Sequence, residues 1–135
     1  MQSRSERAQL AVPVSGQDHV RGTASTETTL VEYGDFECPY TRRARPVLRR
    51  LRQEFGDRLL FVFRNFPLTR IHPHAEAAAE AAEAVAVQGH YWQMHEMLFD
   101  NQRELEDEDL RRYASELGLD MANRPKYYKI VVFSS

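Results

Sequence analysis

Two apolar runs separated by one amphipathic stretch of helical length constrain this chain most. Thr28-Thr29-Leu30-Val31-Glu32-Tyr33 is β-branched and apolar, as a strand requires. Leu59 to Phe63 is apolar almost without interruption, the mark of a strand buried on both faces. Between them, Ala44, Val47, Leu48, Leu51 and Phe55 recur at helical spacing, which predicts a helix from about Pro39 to Phe55. Pro39 suits its first turn, where a missing N–H leaves nothing unpaired. Pro46 inside it predicts a kink, and Gly56 is a natural stop. Strand, helix and strand in this order form a βαβ unit, hence a parallel pair with a right-handed crossover.

The remainder is mostly helical. Pro73 to Val87 is rich in Ala and Glu, strong helix formers, and Gly89 ends it. Tyr91 to Phe99 predicts a second short helix, with Trp92, Leu98 and Phe99 as core candidates. A third runs from Asp107 or Glu108 to Leu117, with acidic residues at its positive end. Tyr127 to Phe133 reads as a final strand. Met1 to Ala24 is polar and reads as a flexible arm, with a short strand at Ala11 to Val14. Residues 25–135 make up one domain, of which 67–120 is a helical region and 121–135 an atypical tail. The only lysines are Lys126 and Lys129, among 18 basic residues, so the tail differs in composition from what precedes it.

Composition limits the function classes. A formal charge of −2 argues against a dominant nucleic-acid footprint. No apolar run approaches the roughly 18 residues of a membrane helix. Met1 to Val20 lacks the apolar core of a secretory signal. As it stands the sequence therefore predicts a cytoplasmic protein, or an extracytoplasmic one if it is a mature or excised piece. One Cys excludes an internal disulfide scaffold and a thiolate-based zinc site.

That one cysteine, Cys38, falls where a strand hands over to a helix. Free N–H groups and the positive end of the helix dipole point at this position. Both favour thiolate over thiol and raise nucleophilicity. A free Cys can also be a small buried hydrophobe.

Leu30-Val31-Glu32-Tyr33-Gly34-Asp35-Phe36-Glu37-Cys38-Pro39-Tyr40 resembles the active-site strand and turn of DsbA-like thioredoxin-fold proteins, bacterial thiol–disulfide oxidoreductases. Phe63-Arg64-Asn65-Phe66-Pro67-Leu68 with His72-Pro73, and Gly89-His90-Tyr91-Trp92 with Met94-His95 and Leu98-Phe99, are similar to later segments of that family. The likeness runs from about Asp18 to Asp120, and Pro46 matches a proline in the family's active-site helix. It implies an α/β thioredoxin-like fold with a helical insertion and a reactive site at Cys38, Pro39 and Tyr40. It further implies that Glu32 is a buried acid that relays protons to and from the sulfur.

Two departures bear on the chemistry. The family's Cys-x-x-Cys is here Cys38-Pro39-Tyr40-Thr41, so Thr41 replaces the thiol that would resolve a mixed disulfide. The Thr41 hydroxyl is expected to hydrogen-bond the thiolate. The implied activity is monothiol exchange with protein or small-molecule thiols and disulfides, with glutathione as co-substrate and no bound cofactor. The second departure is the absence of a Thr-Pro or Val-Pro loop; Pro125 stands in a different context. The C-terminal part of the sheet is therefore expected to be incomplete. Its open edge invites a homodimer, or exchange of the strand Tyr127 to Phe133.

Two alternatives stay open: a non-catalytic binding or assembly module, and a redox sensor in which Cys38 forms a sulfenic acid, a glutathione adduct or an intermolecular disulfide. Arg42, Arg43, Arg45, Arg49, Arg50 and Arg52 crowd one helix; a phosphate-binding patch is one reading, but a solvated face fits a net acidic chain better, with Arg42 near enough to assist a thiolate or hold a ligand carboxylate. His72, His74, His90 and His95 fit no compact metal ligand set, so no metal is expected.

Overall fold

The computed structural model describes residues 9–23 and 28–119. In chain order these form β1 (His19–Arg21), β2 (Thr28–Gly34), α1 (Pro39–Phe55), a 3-10 turn (Gly56–Arg58), β3 (Leu59–Asn65), α2 (Ala75–Ala86), α3 (Tyr91–Asp100) and α4 (Asp107–Glu116). The sheet order is β1-β3-β2. β2 and β3 run parallel, in register from Thr28 opposite Leu59 to Gly34 opposite Asn65, as the βαβ pattern predicts. All residues of β3 are buried, which fits its apolar run and its central place among the described strands.

The first strand corrects the sequence reading. Val12 and Pro13, expected within a strand, have irregular backbone, and their carbonyls accept hydrogen bonds from Arg64 instead of joining a ladder. The edge strand is His19–Arg21, antiparallel to β3. Long-range contacts hold it. His19 Nε2 lies 2.6 Å from Glu83 and its ring stacks on Tyr91. Arg21 pairs with Glu96 and covers the Trp92 ring. Trp92 Nε1 donates to the Val20 carbonyl. Residues 12–21 of the expected flexible arm are thus fastened to the domain.

Arg64 supplies the strongest fastening. Its side chain is 1% exposed and its fork meets both oxygens of Asp18, at 2.9 and 3.0 Å. It also donates to the Tyr33 hydroxyl. A charge so deeply buried is tolerated only when paired and hydrogen-bonded.

One core joins sheet and helices. Phe36, Phe61 and Phe63 meet Met94, Leu98 and Phe99 of α3, the alanine face of α2, and Leu110 and Tyr113 of α4. Alanines at 78, 79, 81 and 82 let α2 approach closely. Trp92, expected in the core, is only partly buried at its edge. The stripe on α1 is less covered than its spacing suggests: Leu48 packs against the core, but Val47 is 61% exposed. Phe55, at the helix end, lies under the Arg58 guanidinium. Pro46 sits within α1 without ending it, and Gly56 closes it. The expected strand Tyr127 to Phe133, the open edge and Pro125 lie outside the described residues.

Candidate functional site

β2 ends at Gly34, where the backbone passes so close to β3 that a Cβ would sit 2.2 Å from the Phe63 ring. Only glycine fits there, and the chain can then turn tightly through Asp35, Phe36 and Glu37. Cys38 follows as the residue capping α1, in extended conformation, with Pro39 at the first helical position. Its carbonyl accepts from the Arg42 N–H at 3.1 Å, the first bond of the helix. Cys38 is buried to 9% exposure, so only a small part of it faces outward. The strand-to-helix placement inferred from sequence is thereby realised.

Buried Asp35 organises the turn. It accepts from the Glu37 N–H at 2.7 Å, from the Leu68 N–H at 2.8 Å, and from His72 Nδ1–H at 2.8 Å. His72 therefore ties the β3–α2 loop to the cysteine turn. Next to it, His74 faces Glu37 through Nδ1 and Glu106 through Nε2, at 2.8 and 3.0 Å. Burial disfavours its charge, but the two carboxylates outweigh this and raise its pKa. On the other side, the Gln102 amide donates to the carbonyls of Phe36 and Cys38, at 3.0 and 2.8 Å. The turn bearing Cys38 is thus clamped from two loops.

The five expected site residues do not all converge. Pro39 and Cys38 stand together at the helix start. Thr41 lies one turn on, where its Oγ1 accepts from the Asp35 N–H at 3.4 Å, so its oxygen faces the turn backbone. Tyr40 is 75% exposed, with Arg43 over its ring. Glu32 lies elsewhere, in a cavity of about 20 Å³ that it shares with Arg21, Arg45, His95 and Glu96. Burial pushes its pKa up to about 7. His95 is buried beside it, with Nδ1 3.4 Å from Glu96, and desolvation lowers its pKa. Glu96 is the opposite case: His95, 3.4 Å away, and the guanidinium of Arg45 hold its carboxyl well below the usual range.

A groove of about 880 Å³ opens at the cysteine turn, walled by the first turns of α1, Glu37, His74 and the α3–α4 loop; Glu37 and Pro39, on either side of Cys38, line it and Cys38 itself does not. Four of the six α1 arginines line it: Arg42, Arg43, Arg45 and Arg49. The expectation of a solvated face holds only in part. Arg45 is paired with Glu96 and with Asp100, and its side chain is 13% exposed. Arg45 and Arg49 also border the Glu32 cavity, so one pair of side chains separates the two spaces.

The roles of Asp35 and Gln102 had no signal in the sequence, because the bonds that tie them to other loops span 33 to 66 residues; the neighbouring Arg103 had none either. Among the described residues no group of His, Cys, Asp and Glu could hold a metal, and no helix is long and apolar enough to cross a membrane.

Residues 14–129 match the thioredoxin family. The chain is 50% identical over 113 residues to the Na(+)/H(+) antiporter NhaA 1 of Salinispora arenicola, covering 83% of this chain and 17% of that protein. It thus spans about a sixth of the length of the curated relatives it matches. Among solved structures, a thioredoxin-like oxidoreductase from Silicibacter pomeroyi superposes with a TM-score of 0.71 at 30% identity, over 80% of this chain and 61% of that one. The thiol-disulfide exchange protein α-DsbA2 of Wolbachia pipientis shares the fold, with a TM-score of 0.67 at 19% identity, over 76% and 54%.

Proposed function

The chain belongs to the thioredoxin family, in its DsbA-like form, and from that premise we propose that it carries out thiol–disulfide exchange through Cys38 alone. The observation that carries this reading is the position of Cys38. It caps the 17-residue helix α1, at the end where the free N–H groups and the positive pole of the helix dipole lie. The Cys38 thiolate attacks one sulfur of a disulfide, forming a mixed disulfide and releasing the other sulfur as a thiolate. Thr41 supplies no second thiol. An external thiol of the glutathione class must attack the mixed disulfide, restore Cys38 and leave with the substrate sulfur. Glu32 is the group on the site's strand that changes protonation near neutral pH. We assign it the proton management that the family resemblance implies.

Reduction of hydroxyethyl disulfide by glutathione, followed through coupled glutathione reductase, tests this. Turnover is expected from the native chain and none from Cys38→Ser. Absence of turnover, with iodoacetamide alkylation of Cys38 no faster than that of free cysteine at pH 7, would overturn the reading.

A second reading is favoured by the likeness to the antiporters. There the domain serves a sodium/proton antiporter as an attached module, and Cys38 senses redox state without turnover. Rapid alkylation of Cys38 without disulfide reductase activity is the result that selects it.

A further inference from the structure

The charges of the groove beside Cys38 do not balance. Its carboxylates already have partners: Asp100 pairs with Arg45 at 3.0 Å, and Glu37 and Glu106 both pair with His74. Several of the basic side chains do not. Arg42 and Arg103 enter no ion pair among the described residues, and both are exposed. Arg43 is exposed and rests on the Tyr40 ring, a contact that leaves its charge uncompensated. Arg49 shares Glu96 at 3.5 Å with two other arginines. A chain with net charge −2 therefore gathers unmatched positive charge in one concavity. This is the arrangement that concentrates and orients anions, because each guanidinium fork fits a carboxylate through two parallel hydrogen bonds.

The position of Arg103 is not accidental to the loop. Gln102, one residue before it, is bonded to the carbonyls of Phe36 and Cys38. Arg103, on the loop that Gln102 anchors, and Arg42, in the first turn of α1, thus line the same groove at the cysteine turn. The two neighbours of Cys38 in the chain, Glu37 and Pro39, line the same groove, so a ligand held there lies next to the cysteine turn.

We propose that this groove selects carboxylate-bearing thiols and disulfides of peptide size, with Arg42 and Arg103 as the residues that hold the carboxylates. The selection rests on the exchange chemistry at Cys38, but binding of the anion does not require the sulfur. In the step itself the Cys38 thiolate attacks the nearer sulfur of the bound disulfide. One S–S bond forms, one breaks, and the departing carboxylate-bearing thiolate carries away the electron pair.

Two measurements test it. In the first, the native chain reacts with a dianionic aromatic disulfide, 5,5′-dithiobis(2-nitrobenzoate), and with neutral 4,4′-dithiodipyridine. Each rate is divided by that of 2-mercaptoethanol to cancel intrinsic reactivity. The dianion is expected to gain about tenfold over the neutral probe at low salt. That gain should shrink towards unity near 1 M salt, where the screening length is about 3 Å, and in the Arg42→Ala/Arg103→Ala chain. Equal normalised rates at low salt would overturn the proposal, whereas failure of the neutral probe to react would count against the exchange chemistry itself.

In the second measurement, Cys38→Ser is titrated with S-methylglutathione, which has the carboxylates and no free thiol. Saturable binding that is lost when Arg42 and Arg103 are also replaced supports the groove even if exchange fails. No binding overturns it. Oxidised glutathione and a disulfide peptide flanked by glutamates then distinguish the two sources of the same chemistry. Equal gains identify a small thiol, and a larger gain for the peptide identifies an acidic protein segment.

Discussion

Arg64 and the pair Arg42 and Arg103 show the same side chain put to opposite uses. Arg64 is 1% exposed and meets Asp18, Tyr33 and the carbonyls of Val12 and Pro13. Arg42 and Arg103 stand in the open, in a concavity, and enter no ion pair among the described residues. The first arrangement closes the molecule on itself. The second leaves its binding capacity for something else. A guanidinium with all its partners inside the chain is architecture, and one held in place without partners is a receptor.

Five variants can break or sharpen that contrast. Arg64→Ala should have the largest effect, about 3–5 kcal/mol, because it strands the Asp18 carboxylate in a buried place. Urea unfolding measures it, and a loss below about 1 kcal/mol would mean that the arm holds on by other contacts. Gln102→Ala comes next. It removes the donor from two backbone carbonyls, at about 1–3 kcal/mol, and should also weaken the preference for anionic disulfides by freeing Arg103. A stability loss with an unchanged preference would show that the loop needs no clamp.

Glu32→Gln should act through pH. The folded-state pKa of Glu32, about 7, lies above its ordinary value of 4.5. Its contribution to stability is therefore complete below about pH 4.5 and fades as pH rises through 7. Between pH 5 and 8 the native chain should lose about 5 °C more in Tm than the variant does, equivalent to roughly 1 kcal/mol. Parallel Tm curves would remove the protonation role. Arg42→Ala and Arg103→Ala should have the smallest effect on stability, within about 0.5 kcal/mol, although they bear most directly on recognition. Marked destabilisation would turn these two from receptor into architecture and erase the contrast.

Legibility from sequence followed the range of the interactions. The run Leu59 to Phe63, the stretch from Pro39 to Phe55 and the alanine-rich helix announce themselves through periodicity, and their positions match the observed elements within a few residues. Cys38 and Pro39 were legible because a strand, a turn and a helix start are local events. β1 was not. His19, Val20 and Arg21 hold one apolar residue among them, and their strand exists because β3, Glu83, Glu96 and Trp92 hold it. The same reason hid Gln102 and Asp35. Glu32 was legible, through the resemblance, as an acid of the site's strand, but its cavity, separate from the groove, was not, since that depends on where α3 places His95 and Glu96.

The Gln102 clamp has an evolutionary consequence. Its amide recognises the carbonyl of Cys38 and takes no part in the choice of side chain there. A single base change that replaces the sulfur with a hydroxyl leaves the clamp, and with it the groove wall, in place. Descendants of this chain can therefore lose their reactive atom in one step and still inherit the surface that gathers its partners.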